Sequence, residues 1–258
     1  MFSLENFDIK LDTEYIGRNF YYVEEVDSTN DFILKSNEIK EYGSVVLAEN
    51  QLAGKGRQGR SWKSVSDKNL TFSVLLNEEL DKINVTLINF AASLSVGNAL
   101  ENLYQLNVNL KWPNDVLVGN KKIAGILTET VSKSNRVEKA VVGIGINVNQ
   151  PVFPEKFQII PTSVKIELKR EVSRERLLSE ILNLFEENLT LLRYNPTEVL
   201  DSWRNKCKMI GSRVKVTQGE DVVVGKFIDI DENGTLILLR NGNEEKINYG
   251  DVVTLREQ

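Results

Sequence analysis

Apolar residues cluster in short runs along most of this chain, and the character of the runs changes once. The segments 45–48, 70–76, 106–112, 123–130 and 137–148 are short, rich in Val, Ile and Leu, and bounded by Gly, Asn or Lys, which predicts strands. Between them, 85–103 carries Ile88, Ala91, Ala92, Ala99 and Leu103 at helical spacing. Leu178, Ile181, Leu182, Phe185, Leu189 and Leu192 repeat in the same way after Ser173, a side chain suited to cap a helix N-terminus. Strands interleaved with helices predict an α+β unit, a mixed β-sheet with helices packed on it. No repeat or low-complexity linker interrupts this pattern up to about Lys208.

Near Ile210-Gly211 the period shortens to two. The segments 214–217, 222–229, 235–239, 245–248 and 252–255 alternate in polarity and are separated by Gly219, Asn233-Gly234 and Asn241-Gly242. Both residues of an Asn-Gly pair tolerate positive φ, which favours tight hairpins. Five short strands in so little chain predict a small barrel. The expected division is therefore 1–209 and 210–258, with Trp203 and a helix starting at Pro196-Thr197-Glu198 at the joint.

The 258 residues are 41% hydrophobic, enough for a full core, and the formal net charge is -5. That balance argues against a general nucleic-acid binder, because phosphate backbones are held mainly by excess Lys and Arg. Cationic work must be local. A single cysteine, Cys207, cannot form an intramolecular disulfide. No run approaches the ~20 apolar residues of a membrane span, and the N-terminus lacks a signal-peptide pattern; a cytoplasmic protein is expected. The chain contains no histidine, which removes Ser-His-Asp and Cys-His nucleophilic systems and His-ligated metal sites. Lys, Arg, Asp, Glu and backbone amides must carry any chemistry.

Two stretches look built for anions. Gly54-Lys55-Gly56-Arg57-Gln58-Gly59-Arg60 exposes backbone N–H groups among three cations and is followed by Trp62. It reads equally as a mobile basic loop, and Trp62 as an adenine platform or a core residue. Lys111-Trp112-Pro113-Asn114-Asp115-Val116 joins a cation to two polar side chains around a proline, with Lys122 after a Gly119-Asn120 turn. Lys111 then ends one strand and Lys122 begins the next. Asp115 is open to two readings, a ligand for Mg²⁺ carried by a nucleotide or a stabiliser of the turn. Gly143-Ile144-Gly145-Ile146-Asn147 either lets a flat ligand lie against a strand or marks a bulge.

The ordered series Asp27-Ser28-Thr29-Asn30, Ala48-Glu49-Asn50-Gln51 leading into 54–62, 111–116, Lys122-Ile123-Ala124-Gly125-Ile126-Leu127 and 143–147 resembles the biotin protein ligases over nearly the whole chain. The C-terminal strands, with Tyr249-Gly250-Asp251 and Thr254-Leu255-Arg256, resemble the SH3-like domain of those enzymes. The resemblance implies a catalytic domain related to class II aminoacyl-tRNA synthetases and an ATP-dependent biotinylation of a carrier-protein lysine through biotinyl-5′-AMP. It implies that Ser28, Thr29, Asn30 and Gln51 meet biotin's ureido ring. Gly54, Lys55, Gly56 and Arg57 correspond to a loop closing over the carboxylate and the intermediate. Lys122 corresponds to the lysine between that carboxylate and the α-phosphate, so it and Arg57 are the expected catalytic residues. Gly125, Leu127, Gly143 and Gly145 correspond to pocket walls, and Arg57, Arg60, Trp62, Lys111, Asn114, Asp115, Lys122 and Asn147 to the surroundings of ATP and its Mg²⁺. Relatives usually carry arginine where Lys55 stands, and lysine lacks the bidentate fork.

The same resemblance implies biotin and Mg-ATP as substrates with no tightly bound cofactor. It implies as partner the biotin carboxyl carrier domain of acetyl-CoA carboxylase or pyruvate carboxylase. Some relatives carry an N-terminal helix-turn-helix, for which the 26 residues before Asp27 are too few; the monofunctional type is expected, with no nucleic-acid or membrane partner. Monomer and homodimer both stay open. The rival readings are lipoate or octanoate attachment and a non-catalytic biotin- or nucleotide-binding module.

Overall fold

A computed structural model describes residues 2–80, 83–134, 136–155 and 157–255. Arg256, placed by resemblance in the C-terminal domain, lies outside the described residues. In chain order the elements are α1 (Leu4–Asp8), β1 (Phe20–Val26), α2 (Thr29–Lys35), β2 (Val45–Gln51), β3 (Leu70–Leu76) and α3 (Ile88–Tyr104). Next come β4 (Val108–Lys111), β5 (Asp115–Val118), β6 (Lys121–Lys133), β7 (Arg136–Ile146), α4 (Val164–Leu168), α5 (Arg174–Tyr194) and α6 (Pro196–Lys206). The C-terminal strands are β8 (Arg213–Gln218), β9 (Asp221–Ile230), β10 (Leu236–Arg240), β11 (Asn243–Ile247) and β12 (Asp251–Thr254).

The first seven strands form one mixed sheet in the order β1-β2-β3-β7-β6-β5-β4, with β1 and β2 parallel and all other pairs antiparallel. Strand alternation divides its residues between two faces. Phe72, Val74, Ala140, Val142 and Ile144 belong to the large core with α3 and α5. On the opposite face Val46, Leu75 and Val141 pack against Ile33 of α2. The short α2 covers only part of that second face. The uncovered part carries Thr71, Gly143 and Gly145, small residues where a packed layer would need large ones.

α3 is buried nearly all round, as expected of a helix enclosed on every side. Its small residues let neighbours close in; a methyl on Gly97 would lie 3.2 Å from Val108. The expected helix 85–103 begins as a short 3₁₀ turn, Val85–Leu87, where Asn84 accepts a bond from the Thr86 amide. α5 is capped as expected, with Ser173 accepting from the Arg176 amide.

β8 to β12 make the predicted second sheet, antiparallel in the order β11-β10-β9-β8-β12. Asn241 and Gly242 both take positive φ (51° and 82°), as the β10–β11 hairpin requires. The two sheets are joined by side chains. Trp112, 2% exposed, donates its indole N–H to the Gly234 carbonyl at 2.9 Å, and Arg204 of α6 reaches Asp229 and the Ile230 carbonyl. No described helix is long and apolar enough to cross a membrane.

One part of the sequence reading is corrected. A single turn at Gly119-Asn120 does not connect the strand of Lys111 to that of Lys122; β5 intervenes, paired with both β4 and β6. Asn and Pro at 113–114 masked a four-residue strand too short to show a period.

Candidate active site

The uncovered face of the sheet is the floor of a cavity of about 410 Å³. Six basic side chains (Lys55, Arg57, Arg60, Lys63, Lys111 and Lys122) and three carboxylates (Asp115, Glu155 and Asp251) line it. An acidic protein has thus gathered cations around one concavity, the pattern of an anion receptor.

One end is neutral and polar. Ser28 caps α2, its side chain accepting from the Asp31 amide. The Thr29 amide and hydroxyl donate to Gln51 Oε1 at 2.8 and 3.1 Å. The Ser73 hydroxyl lies 2.6 Å from both Thr29 Oγ1 and Asn30 Oδ1, and Asn30 Nδ2 donates to Glu129 and to the Leu127 carbonyl. Ser28, Thr29, Asn30 and Gln51 therefore come together, although they come from two elements and a loop. A methyl on Gly143 would fall 2.5 Å from Asn30 Oδ1, so the glycine is what lets Asn30 lie against the floor.

The middle of the cavity is flat. Gly125 and Gly145 face Trp62, whose indole lies so close to Gly145 that any side chain there would overlap the ring. The Trp62 indole N–H is buried without a partner. Lys122 Nζ sits 5.7 Å from the ring centroid. Trp62 therefore covers the glycine floor.

At the cationic end the three-strand run β4-β5-β6 brings both lysines onto Asp115, at 2.5 Å from Lys122 and 3.6 Å from Lys111. Burial pulls the Lys111 ammonium below its usual pKa, with Asp115 opposing that. Lys111 is 11% exposed against 27% for Lys122, so of the two lysines that line the cavity Lys122 is the more open. The backbone of Lys122 is fixed by bonds to the Ile160 carbonyl and from the Thr162 amide, both 2.8 Å. Asn114 donates to the Ile126 carbonyl at 2.5 Å, and the Trp112–Pro113 bond is cis. Asn147 Nδ2 is tied to the Thr162 carbonyl at 3.0 Å.

The glycine-basic loop folds over the cavity as a tight turn, with Gly56 N–H bonded to the Arg60 carbonyl and Trp62 N–H to the Gly54 carbonyl. Gly54 itself does not line the cavity; a methyl there would run into the Trp62 carbonyl, so its role is in closing the turn. Lys55 is bound to Asp31 at 2.5 Å and lies 3.6 Å from Glu129, contacts that raise its pKa. Among the described residues Arg57 makes long contacts, 3.4 Å to Asn114 Oδ1 and 3.5 Å to the Gly250 carbonyl. Burial lowers its pKa, with Asp115 acting the other way. It is a desolvated cation without a matched anion among the described residues. Arg60 pairs with Asp251 of the second sheet.

The sequence pattern does not announce Thr71, Phe153, Phe157 or Asp251, all of which line the cavity. Phe153 and Phe157 stand edge to face, 6.2 Å apart, in the loop between β7 and α4. A loop of that length within a compact domain, with Pro151, Pro154 and Pro161, is the feature that could have marked them. Burial pushes the Cys207 thiol up to about 11, far from a working nucleophile. Among the described residues, no group of three acidic, cysteine or histidine side chains could hold a metal, and Asp115 is taken up by two lysines. The residues present do not make a resident metal site.

Residues 22–147 match the Biotin/lipoate A/B protein ligase family, and 209–254 match the Biotin protein ligase C terminal domain. The chain is 33% identical to a biotin--[acetyl-CoA-carboxylase] ligase of Mycobacterium tuberculosis, over 83% of this chain and 80% of that protein. It is 30% identical to the bifunctional ligase/repressor BirA of Bacillus subtilis, over 94% of this chain and 76% of that one. Among solved structures, the biotin protein ligase from Aquifex aeolicus in complex with biotin and ATP superposes with a TM-score of 0.81 at 33% identity, over 93% of this chain and 100% of that chain.

Proposed function

The chain belongs to the Biotin/lipoate A/B protein ligase family, and from that premise we propose that its cavity joins biotin to one lysine of a carboxylase's carrier domain at the expense of ATP. The biotin carboxylate attacks the α-phosphorus of ATP, pyrophosphate leaves, and biotinyl-5′-AMP forms. The lysine ε-amine then attacks the acyl carbon of that mixed anhydride, a proton passes to solvent, and AMP leaves. Mg²⁺ enters as part of the Mg-ATP substrate.

The observation that carries this reading is the sequence of environments along one floor. A hydrogen-bonding pocket of Ser28, Thr29, Asn30 and Gln51 is followed by the flat glycines, and these by Lys122 and the desolvated Arg57. A ureido ring needs paired donors and acceptors, and leaving one unmet costs about 1–3 kcal/mol. Gly125 and Gly145 let Trp62, and Gly143 lets Asn30, lie flat against the floor, and a thin apolar body lies beside Trp62 and Leu127. A carboxylate at the far end meets cations.

The first step brings two anions together. Lys122 and Arg57 offset that repulsion from fixed positions, so little reorganisation is needed in the transition state. Arg60, Trp62, Lys111, Asn114, Asp115 and Asn147 surround the place left for the nucleotide. Residues 1–209 form the catalytic unit in this reading and 210–258 the SH3-like one, with the carrier domain of acetyl-CoA carboxylase or pyruvate carboxylase as acceptor. Incubation with ATP, Mg²⁺, the carrier domain and either labelled biotin or labelled lipoate tests it. Label from biotin alone is expected on the carrier; label from lipoate, or none, overturns the reading.

A further inference from the structure

Lys121 and Lys122 are neighbours on β6 and are sent apart by strand alternation. Lys122 lines the cavity, and Lys121 reaches Glu167 of α4. The same Glu167 oxygen accepts from the Thr162 hydroxyl. Burial raises the Glu167 pKa, but the bonds from Lys121 and Thr162 outweigh it and leave the pKa below its ordinary value. Thr162 is fully buried, with each of its polar atoms engaged. Its hydroxyl goes to Glu167, its N–H to the Lys122 carbonyl at 2.8 Å, and its carbonyl accepts from Asn147 Nδ2 at 3.0 Å. One buried threonine thus ties α4 and Asn147 to the backbone of Lys122.

That backbone needs the tie, because Lys122 stands where the regular ladder is interrupted. The pairing of β7 with β6 begins only at Ala124. On the other side the β5–β6 register shifts between the pairs Val116–Ala124 and Leu117–Lys122, which leaves Ile123 as an extra residue. A bulge of this kind bends the strand and re-aims a side chain. Residues 160–162 supply the partner on the β7 side, bridging in parallel to Lys122, whose N–H donates to the Ile160 carbonyl at 2.8 Å. Glu167, outside the cavity lining, holds the end of the segment on which Lys122 leans.

We propose that Glu167 is a positioning residue for the ligation: through Thr162 it sets where the Lys122 ammonium stands between the two reacting anions, and it touches neither of them. The proposal rests on the ligation reading above. A misplacement of about 1 Å costs on the order of 10²-fold in rate, so a partial slackening of this tie is felt in the chemical step before it is felt in binding.

The test is Glu167→Ala and, independently, Thr162→Val, each made in the full chain alone and together with Lys122→Ala. Each single variant should lower kcat for biotin-dependent ATP–pyrophosphate exchange about ten-fold while KM for biotin stays within about two-fold of wild type, since the tie acts on placement and not on the ureido end. Thr162→Ser keeps the hydroxyl and should exchange within about two-fold of wild type. Added to Lys122→Ala, neither substitution should lower the residual exchange further, because the group they place is gone. Wild-type kcat in both single variants overturns the proposal. So does the same fold-loss in the Lys122→Ala background, which would make the tie a matter of general stability. If Glu167→Ala does not fold, Thr162→Val, close to threonine in volume, carries the same comparison. Absence of exchange in the wild type is a different failure: it removes the ligation reading itself, and this proposal with it.

Discussion

The ammonium of Lys122 lies 2.5 Å from the carboxylate of Asp115, two residues brought together by the β5–β6 hairpin. Asp115 also holds Lys111, so one carboxylate is shared by two cations. Its charge is spent between them, and an incoming anion meets net positive charge. Gly125 makes the arrangement feasible, since a methyl there would lie 3.2 Å from Lys122 Cε and Nζ.

Under the proposed function, replacing Lys122 by alanine removes the cation assigned to draw the two reacting anions together. Biotin-dependent ATP–pyrophosphate exchange is expected to fall by about 10²–10³-fold, the usual cost of losing one aimed electrostatic contact. The fold should survive, because the side chain is partly exposed. Exchange at a near wild-type rate would falsify the assigned role.

Arg57 is given a different part by the proposed function. Its guanidinium is desolvated and its contacts among the described residues are long, 3.4 and 3.5 Å, so under that proposal a bound acyl phosphate would be its partner. Arg57→Ala should leave formation of biotinyl-AMP measurable but loosen its hold, raising the release rate by about 10- to 100-fold, as loss of one charge-assisted bond implies. Trapping of free biotinyl-AMP in single-turnover reactions reads this directly; wild-type retention would count against the role.

The glycine floor gives a test that concerns shape instead of charge. Gly143→Ala pushes a methyl to within 2.5 Å of Asn30 Oδ1 and displaces the amide from Ser73, Glu129 and the Leu127 carbonyl. A stability loss of about 1–3 kcal/mol is expected from the overpacking. KM for biotin should rise more than KM for ATP, and an equal rise in both would argue that Asn30 does not belong to the biotin end.

How far these features could be read from sequence depends on their length. β3 was legible as a bounded apolar run of seven residues, and α5 because its 21 residues give a helical period room to repeat. β5 and α2 were not, at four and seven residues. Ser28 as the cap of α2 was open to discovery from its position before Asp31, but the helix it starts is too short to carry an apolar stripe. Most site residues were named by resemblance, and strand alternation then supplies the physical reason for the glycines at 125, 143 and 145. The contribution of Asp251 was invisible, because it depends on how the second sheet docks on the first.

Arg174 and Glu49 supply a stability prediction away from the chemistry. The guanidinium of α5 grips the carboxylate of β2 through bonds of 2.6 and 2.8 Å, and Tyr22 adds a third donor at 2.8 Å. Burial raises the Glu49 pKa, but the bonds from Arg174 and Tyr22 outweigh it and leave the pKa below its ordinary value. A depressed folded pKa gives stability that is complete above the unfolded value, about 4.3, and is lost as pH falls through the folded one. Arg174→Gln leaves a buried carboxylate uncompensated and should cost about 3–5 kcal/mol near neutral pH. Because its loss lets Glu49 protonate more readily, urea midpoints of variant and wild type should converge below pH 4.3 or so; a constant gap across that range would refute the linkage.

Trp112 ties the same hexapeptide that presents Lys111, Asn114 and Asp115 to the second sheet, through a bond to the Gly234 carbonyl. Gly234 is in turn pressed against Phe90 of α3, a methyl there falling 2.5 Å from the ring, and its φ of +76° suits glycine. Trp112→Phe keeps an aromatic ring in the buried slot but leaves that carbonyl without its donor, at an expected cost of about 1–3 kcal/mol. Because Asp251 and Gly250 of the second sheet also contact Arg60 and Arg57, a looser joint should weaken closure of the basic loop. The variant should therefore release biotinyl-AMP faster than wild type while Lys122 and its exchange chemistry persist. Loss of stability without faster release would mean that the joint holds the two sheets together and does nothing for the loop.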